Sequence, residues 1–454
     1  MHGRQFIKTS LGGAAVGSVE SAAQAKSDGR PRGADSRKLA GFSLVQLRDL
    51  YHRYLFDDFL PFVDKHVIDH QYGGFMCNTD VNGRNVTTVK TTWFEGRGIW
   101  VYSFLYNSFG KQAKYLEVAR KSVEFILKNQ PLGENLWPER YARDGKPLTP
   151  PSKEIYGDLF VAEGLAEYSH ATGEEEYWQQ AKQIILKCQR IYDGPDYMPD
   201  IVAEYGGPKP FPFPGARIQG VAMVLLRGTS QMLTRRADAE LEKILSHSVD
   251  AILNYHYNPE FQLNNELLNH DYSRPANELA QFVYTGHSIE TLWMVLDEAV
   301  RSRNSQLFRT AAERFQRHVE VARDRVYGGV FRSLNNVDQN VWTLDKVCWE
   351  QAEVLIGTLL LVENAGDPWA RETFEIMFNY VRDKFPLLRY GYPLWIVQGD
   401  RKVTFENKPP QGPTFPSEQR VENYHHPRHL MLNLLALDRM IRRGAAPGLF
   451  AERS

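Results

Sequence analysis

Three cysteines in 454 residues, Cys77, Cys188 and Cys348, are too few and too far apart for a disulfide framework or a zinc pattern. Each reads as a buried, inert thiol. No charge sign dominates: 54 Lys and Arg face 55 Asp and Glu, a net charge of −1. That excludes the basic footprint of a nucleic-acid binder. No apolar run approaches the ~18 residues of a membrane span. Phosphate-binding Gly-x-x-x-x-Gly-Lys-Ser/Thr, Gly-x-Gly-x-x-Gly after a strand and Gly-x-Ser-x-Gly are all missing. Nucleotide-cofactor and serine-hydrolase chemistry therefore have no foothold, and no cofactor is expected. What the chain has in quantity is rings: 9 Trp, 22 Tyr and 24 Phe. Most belong to a large core, and sugar-binding clefts are the other place that uses them.

The first 40 residues differ from the rest. A basic start, a weakly apolar stretch Ser10–Val19 and the small-x-small Ala23-Gln24-Ala25 make a signal-peptide pattern. Arg4-Gln5-Phe6-Ile7-Lys8 is similar to half of a twin-arginine export signal, with Gly3 where the first arginine would stand. Export, to a periplasm, is the expectation, with the cytoplasm as the alternative. The polar stretch Lys26–Lys38 reads as a linker. The expected layout is a leader and linker over 1–40, one catalytic domain over 41–445 and a tail over 446–454.

From Phe42 onward the hydrophobic period is helical. It predicts helices at 44–66, 92–109, 111–129, 153–171, 174–194, 216–235, 237–256, 286–302, 304–323, 345–365, 367–384 and 424–443. Tight joins such as that at Gly110 make antiparallel neighbours. Six long loops, rich in Gly, Pro and Asn, lead into every second helix. Twelve helices in six hairpins predict an all-α fold, a closed (α/α)6 barrel with the loops gathered on one face. An open solenoid is the alternative.

Four clusters stand where those loops enter helices. In Thr285-Gly286-His287-Ser288-Ile289-Glu290, a histidine at a helix start is disfavoured as a cation and suits a base near neutral pH. Glu290, three residues on, shares its face and is expected to orient it or to handle a hydroxyl proton. Tyr424-His425-His426-Pro427-Arg428-His429 repeats the pattern, with Pro427 in a first turn. His425 and His429 lie four apart, but no Glu follows to make a zinc motif, and no metal is expected. Trp93, Arg97 and Trp100 neighbour each other on a third helix, where a guanidinium among rings can bind a substrate oxygen. Trp349 and Glu353 share a face on a fourth.

Together these motifs resemble the N-acylglucosamine 2-epimerase family, which includes cellobiose 2-epimerases and aldose–ketose isomerases. Tyr72-Gly73-Gly74-Phe75 with Trp93-x-x-Gly96-Arg97-x-x-Trp100, Ile155-Tyr156-Gly157-Asp158, Gly286-His287-x-Ile289-Glu290-x-x-Trp293, Lys346-x-x-Trp349-x-x-x-Glu353 and Tyr424-His425-x-Pro427-Arg428 are similar to its blocks. The resemblance implies an (α/α)6 barrel and epimerisation at C2 of a reducing mono- or disaccharide. It implies His287 and His425 as acid and base, with Arg97 and Glu290 in the catalytic set. Trp93, Tyr156, Arg217, Trp349, Glu353 and Trp395 are expected on the substrate. The segment Arg217-Ile218-Gln219-Gly220 departs from the family's third block. No nucleic acid or membrane is expected as a partner, and a homodimer is left open. The competing readings are an aldose–ketose isomerase on the same site, an (α/α)6 glycoside hydrolase using two of Glu139, Asp158, Glu290 and Glu353, a binding protein and a helical scaffold.

Overall fold

The computed structural model describes residues 37–79, 83–201, 211–387, 392–393, 396–397, 419–421, 423–444, 446 and 448–451. Among them the helices are α1 (Leu44–Arg53), α2 (Leu60–His66), α3 (Thr92–Ser108), α4 (Ala113–Leu127), α5 (Tyr156–Thr172), α6 (Glu175–Asp193), α7 (Gln219–Arg235), α8 (Ala239–Asp250), α9 (Thr285–Ser302), α10 (Ser305–Ala322), α11 (Cys348–Ala365), α12 (Pro368–Lys384) and α13 (His425–Arg442). The helix predicted over 44–66 is broken by a π-helical stretch, Tyr54–Phe59. Pro61 explains the break: it has no N–H for the Asp57 carbonyl, and its ring would strike that carbonyl in an α-helix.

Burial sorts the helices into two rings. Helices α3, α5, α7, α9, α11 and α13 are buried on nearly every side, and each packs on the next until α13 meets α3. The others bury one face and cover them from outside. Helices α4, α6, α8, α10 and α12 each back the inner helix that precedes them. The sixth pair is not a hairpin in sequence: α1, near the N-terminus, backs α13. The barrel is therefore sealed by joining its two ends.

Local chemistry sets the tight joins between inner and outer helices. Gly173 and Gly366 end α5 and α11 in the left-handed conformation, at φ 78° and 68°. Asp238, Asn304 and Asp367 then cap α8, α10 and α12 by accepting first-turn N–H groups. The long loops lead into the N-termini of the inner helices, so all six positive helix ends gather on one face. Short antiparallel ladders stitch these loops together: Lys90–Thr91 with Arg140–Tyr141, Arg217–Ile218 with Leu267–Leu268, and Gln419–Arg420 with Asn78–Thr79.

Two loop–helix units share a frame of matching bonds. In the first, the Asp69 side chain takes the Gln71 and Tyr72 N–H groups, and Lys90 Nζ reaches Asp69 at 2.9 Å and the Gly73 carbonyl at 2.5 Å. In the second, Asp324 takes the Val326 and Tyr327 N–H groups, and Lys346 Nζ reaches Asp324 at 2.5 Å and the Gly328 carbonyl at 2.6 Å. Both use Asp-x-x-Tyr-Gly-Gly. Five residues past each lysine, a side-chain oxygen of Glu95 or Gln351 accepts the N–H of Phe75 or Val330 at 2.9 Å.

Both ends of the expected layout need correction. The fold begins inside the segment assigned to the linker: Lys38–Leu39 pairs with Phe42–Ser43, and Leu39 and Ala40 are buried. The segment expected as a tail packs on the barrel: Phe450 donates to the Asn364 carbonyl at 2.9 Å, and its ring lies 4.5 Å from that of Phe308. The leader pattern, residues 1–25, lies outside the described residues. No described helix is long and apolar enough to cross a membrane.

Candidate active site

The first turns of the six inner helices converge on one spot. From α3, Arg97 lies in a box of rings, 4.5 Å from Trp93, 4.2 Å from Phe160 and 4.8 Å from Tyr424. Gly96 and Gly164 make this box: a Cβ on Gly96 would lie 2.4 Å from the Phe160 backbone, and one on Gly164 2.6 Å from the Gly96 carbonyl. Helices α3 and α5 therefore touch backbone to backbone, and Arg97 is brought against Phe160.

A circuit of neighbours runs from there around the mouth. Trp93 packs on Tyr156 of α5, centroids 5.4 Å apart. The Tyr156 hydroxyl and His287 Cε1 both lie within 3 Å of where a Cβ on Gly220 of α7 would stand, at 2.6 and 2.9 Å. Only glycine leaves that space open. His287 of α9 packs on the indole of Trp349 of α11 at 5.9 Å, and His425 of α13 packs on the same indole at 5.0 Å. Tyr424 then returns the circuit to Arg97. Every inner helix supplies a member.

Each histidine is braced at Nδ1 by a buried carboxylate. His287 Nδ1 lies 2.8 Å from Glu266 Oε1. His425 Nδ1 lies 2.9 Å from Glu353 Oε1 and 3.0 Å from the guanidinium of Arg428. That guanidinium also bonds Glu290 at 2.5 Å and Glu353 at 2.7 Å. Trp293 Nε1 donates to the other oxygen of Glu353 at 2.6 Å. Burial, reinforced by the Glu290 charge and opposed by Arg428, pushes the Glu353 carboxyl up to about 8. Burial works against the Arg428 charge, but Glu353 and Glu290 hold its pKa well above the usual range.

Glu290, Glu353 and His425 bring three donor atoms within 4.8 Å, a spacing that would suit a metal ion. The cation at their centre is already Arg428. Glu290 therefore serves His425 and not His287, contrary to the expectation from i, i+3 spacing. Glu353, expected on the substrate, places its carboxyl against His425, Arg428 and Trp293. His429 turns away from the mouth and meets Tyr51 Oη at 3.1 Å. Burial drives His426 down to about 3 and His429 well below its usual value. Neither adds a proton donor to the site at neutral pH.

Arg217 also departs from expectation. Its guanidinium binds the Tyr192 carbonyl, the Asp193 carbonyl at 3.3 Å, and His270 at both the carbonyl, 3.1 Å, and the ring, 2.8 Å. It caps the C-terminus of α6 and ties two loops together. Trp395 lies outside the described residues.

The family model for N-acylglucosamine 2-epimerase matches residues 73–415. The chain belongs to the N-acylglucosamine 2-epimerase family. It is 25% identical to the human N-acylglucosamine 2-epimerase over 370 residues, 78% of this chain and 83% of that one. It is 25% identical to a cellobiose 2-epimerase of Dictyoglomus turgidum over 310 residues, 63% of this chain and 74% of the relative. The fold matches that of the cellobiose 2-epimerase from Bacillus thermoamylovorans with a TM-score of 0.71 at 16% identity, covering 86% of this chain and 99% of the other. As in that family, the fold is an α/α barrel.

Among the described residues, three of the four carboxyls that a hydrolase would draw on are already bound. An inverting hydrolase needs two carboxyls standing free on either side of a bond. Glu290 and Glu353 share one guanidinium, and Asp158 is held by Lys187 at 2.9 Å and by the Trp137 N–H at 3.0 Å. Glu266 and Arg428 are the members that sequence reasoning missed. Arg428 sits in the last histidine motif, where a buried arginine three residues past a histidine was the available signal. Glu266 stands in an irregular loop and gives no such signal.

Proposed function

We propose that this member of the family inverts C2 of a reducing mono- or disaccharide by proton transfer between its two histidines. The observation that carries the reading is the pair His287 and His425: different helices, one shared indole, each braced at Nδ1. A histidine held at Nδ1 offers Nε2 for proton transfer. One removes the C2 proton of the ring-opened sugar. Return of a proton to the opposite face gives the epimer.

The negative charge that develops on O1 and O2 of the enediolate needs fixed positive partners. Arg97 and the six inner helix N-termini supply them. Trp93 and Trp349 offer faces to the pyranose. The leader pattern supports export, and so free sugars or oligosaccharides as substrates.

The test is NMR of the purified protein with N-acetylglucosamine, mannose, glucose, cellobiose and mannobiose in deuterated water. Deuterium at C2 together with a C2 epimer is the expected result. His287→Ala and His425→Ala should each lower the rate by about 10²–10⁴-fold or more. A ketose product would move the reaction to aldose–ketose isomerisation on the same histidines. Release of a smaller sugar, or turnover that survives either alanine, would overturn the proposal.

A further inference from the structure

The two histidines are not braced in the same way. The Nδ1 of His425 faces both a carboxyl and a guanidinium. The Nδ1 of His287 faces Glu266, 2.8 Å away.

Glu266 is fully buried and sits at the N-terminus of α7. Its backbone carbonyl accepts the Gln219 N–H at 2.9 Å, and its Oε1 accepts the Gly220 N–H at 3.3 Å. These are orphan donors of a first helical turn, and the positive end of the helix favours a negative charge there. The second oxygen, Oε2, has no hydrogen-bond partner among the described residues. Through Oε1 its side chain joins the first turn of α7 to His287 of α9. Its carboxylate is held by the α7 N-terminus and directed at His287.

We propose that Glu266 is the positioning residue for His287, fixing its hydrogen on Nδ1 and so leaving the Nε2 lone pair for the sugar. An ionised carboxylate only accepts, so the shared hydrogen belongs to Nδ1. The ring is held in place by Tyr284, 4.2 Å away, and by Trp349. Among the described residues, the titratable groups near this histidine also include Tyr284 on its face, Tyr156 across Gly220 and Glu350 across Gly286. The inference deepens the proton-transfer reading and rests on it for its catalytic consequence. The tautomer it predicts does not depend on any substrate.

The experiment is ¹⁵N NMR of histidine-labelled free enzyme, with His287 identified by its loss in His287→Ala. The wild type should show hydrogen on Nδ1 and none on Nε2. In Glu266→Gln, which keeps the shape and loses the charge, the tautomers should mix. Its kcat on the sugar found active should fall by about 10²-fold or more with KM within about threefold, and its kcat/KM pH profile should shift. Glu266→Asp should recover part of the loss and, if the glutamine variant does not fold, carries the same comparison. An unchanged tautomer in the variant, or an unchanged kcat and pH profile, overturns the assignment. If no sugar is turned over at all, the proton-transfer reading fails, and the NMR comparison still decides what Glu266 does to His287.

Discussion

The unit from Asp69 to Arg97 and the unit from Asp324 to Glu353 share one frame and do opposite things at the mouth. Asp, paired glycines and a buried lysine recur at matching places with matching bonds. Trp93 and Trp349 each stand three residues past the lysine. Seven past it, one unit carries Arg97 in its box of rings and the other carries Glu353 against His425. The frame fixes where a side chain stands; the residue type at that place fixes the chemistry. A cation among rings and a carboxyl against a histidine thus come from one construction.

The largest effects should come from exchanging what the frame presents. Glu353→Gln replaces with an amide the carboxyl that Arg428 and His425 share, and kcat/KM should fall about 10²-fold or more. Arg97→Lys keeps the charge but loses the flat guanidinium that fits among three rings. It should cost about 10-fold or more, in kcat more than in KM, if Arg97 acts on the developing oxyanion. Equal rises in KM alone for both variants would mean that the two positions only bind sugar.

Breaking the frame itself should cost stability. Lys346→Met leaves Asp324 buried with backbone N–H groups but without its lysine, a loss of about 3–5 kcal/mol by urea unfolding. Lys90→Met should cost less, because Arg143 also bonds Asp69, at 2.9 and 3.0 Å. An equal cost would show that the Arg143 contact, on a half-exposed side chain, adds nothing measurable.

Much of this was legible in the sequence. The helical period exposed twelve helices because an amphipathic or buried helix must repeat its apolar residues every three to four positions. Helix-start signals placed His287, His425, Trp93 and Trp349 on first turns, and a shared end of the barrel followed. Asp-x-x-Tyr-Gly-Gly stands twice in the sequence, yet only the structure gives it matching bonds. Partners across helices were not legible. The spacing of His287 and Glu290 gives a shared face but not the neighbour that the face meets, and Arg428 arrives from a helix more than a hundred residues away. Arg217 was misread for the same reason: its partners are carbonyls at the end of α6, and no local pattern marks them. Pro61 stood in plain sight, and its effect on the first helix follows from its missing N–H.

The smallest effect sharpens the comparison most, because it exchanges a buried position where the two frames make the same backbone bond with different side chains. Glu95 and Gln351 each accept a backbone N–H at 2.9 Å, but Glu95 can ionise. Burial pushes Glu95 up to about 7, against the opposing pull of Lys90 and the bonds from Phe75 and Ser122. Its pKa in the unfolded chain is near 4.5. Between those values the folded state holds a proton that the unfolded state gives up. The stability from Glu95 is thus complete below the unfolded value and is lost as pH rises through the folded one. Glu95→Gln removes that loss and copies the second unit, where Gln351 also donates to the carbonyls of Val330 and Val347. The variant should match the wild type at acid pH and exceed it above neutral, with a Tm that falls less steeply over this range. Glu167 and Asp158, raised to about 7 and about 6 by burial, keep part of the slope. A variant less stable than the wild type at every pH would mean that the two frames differ in more than the charge at this one position.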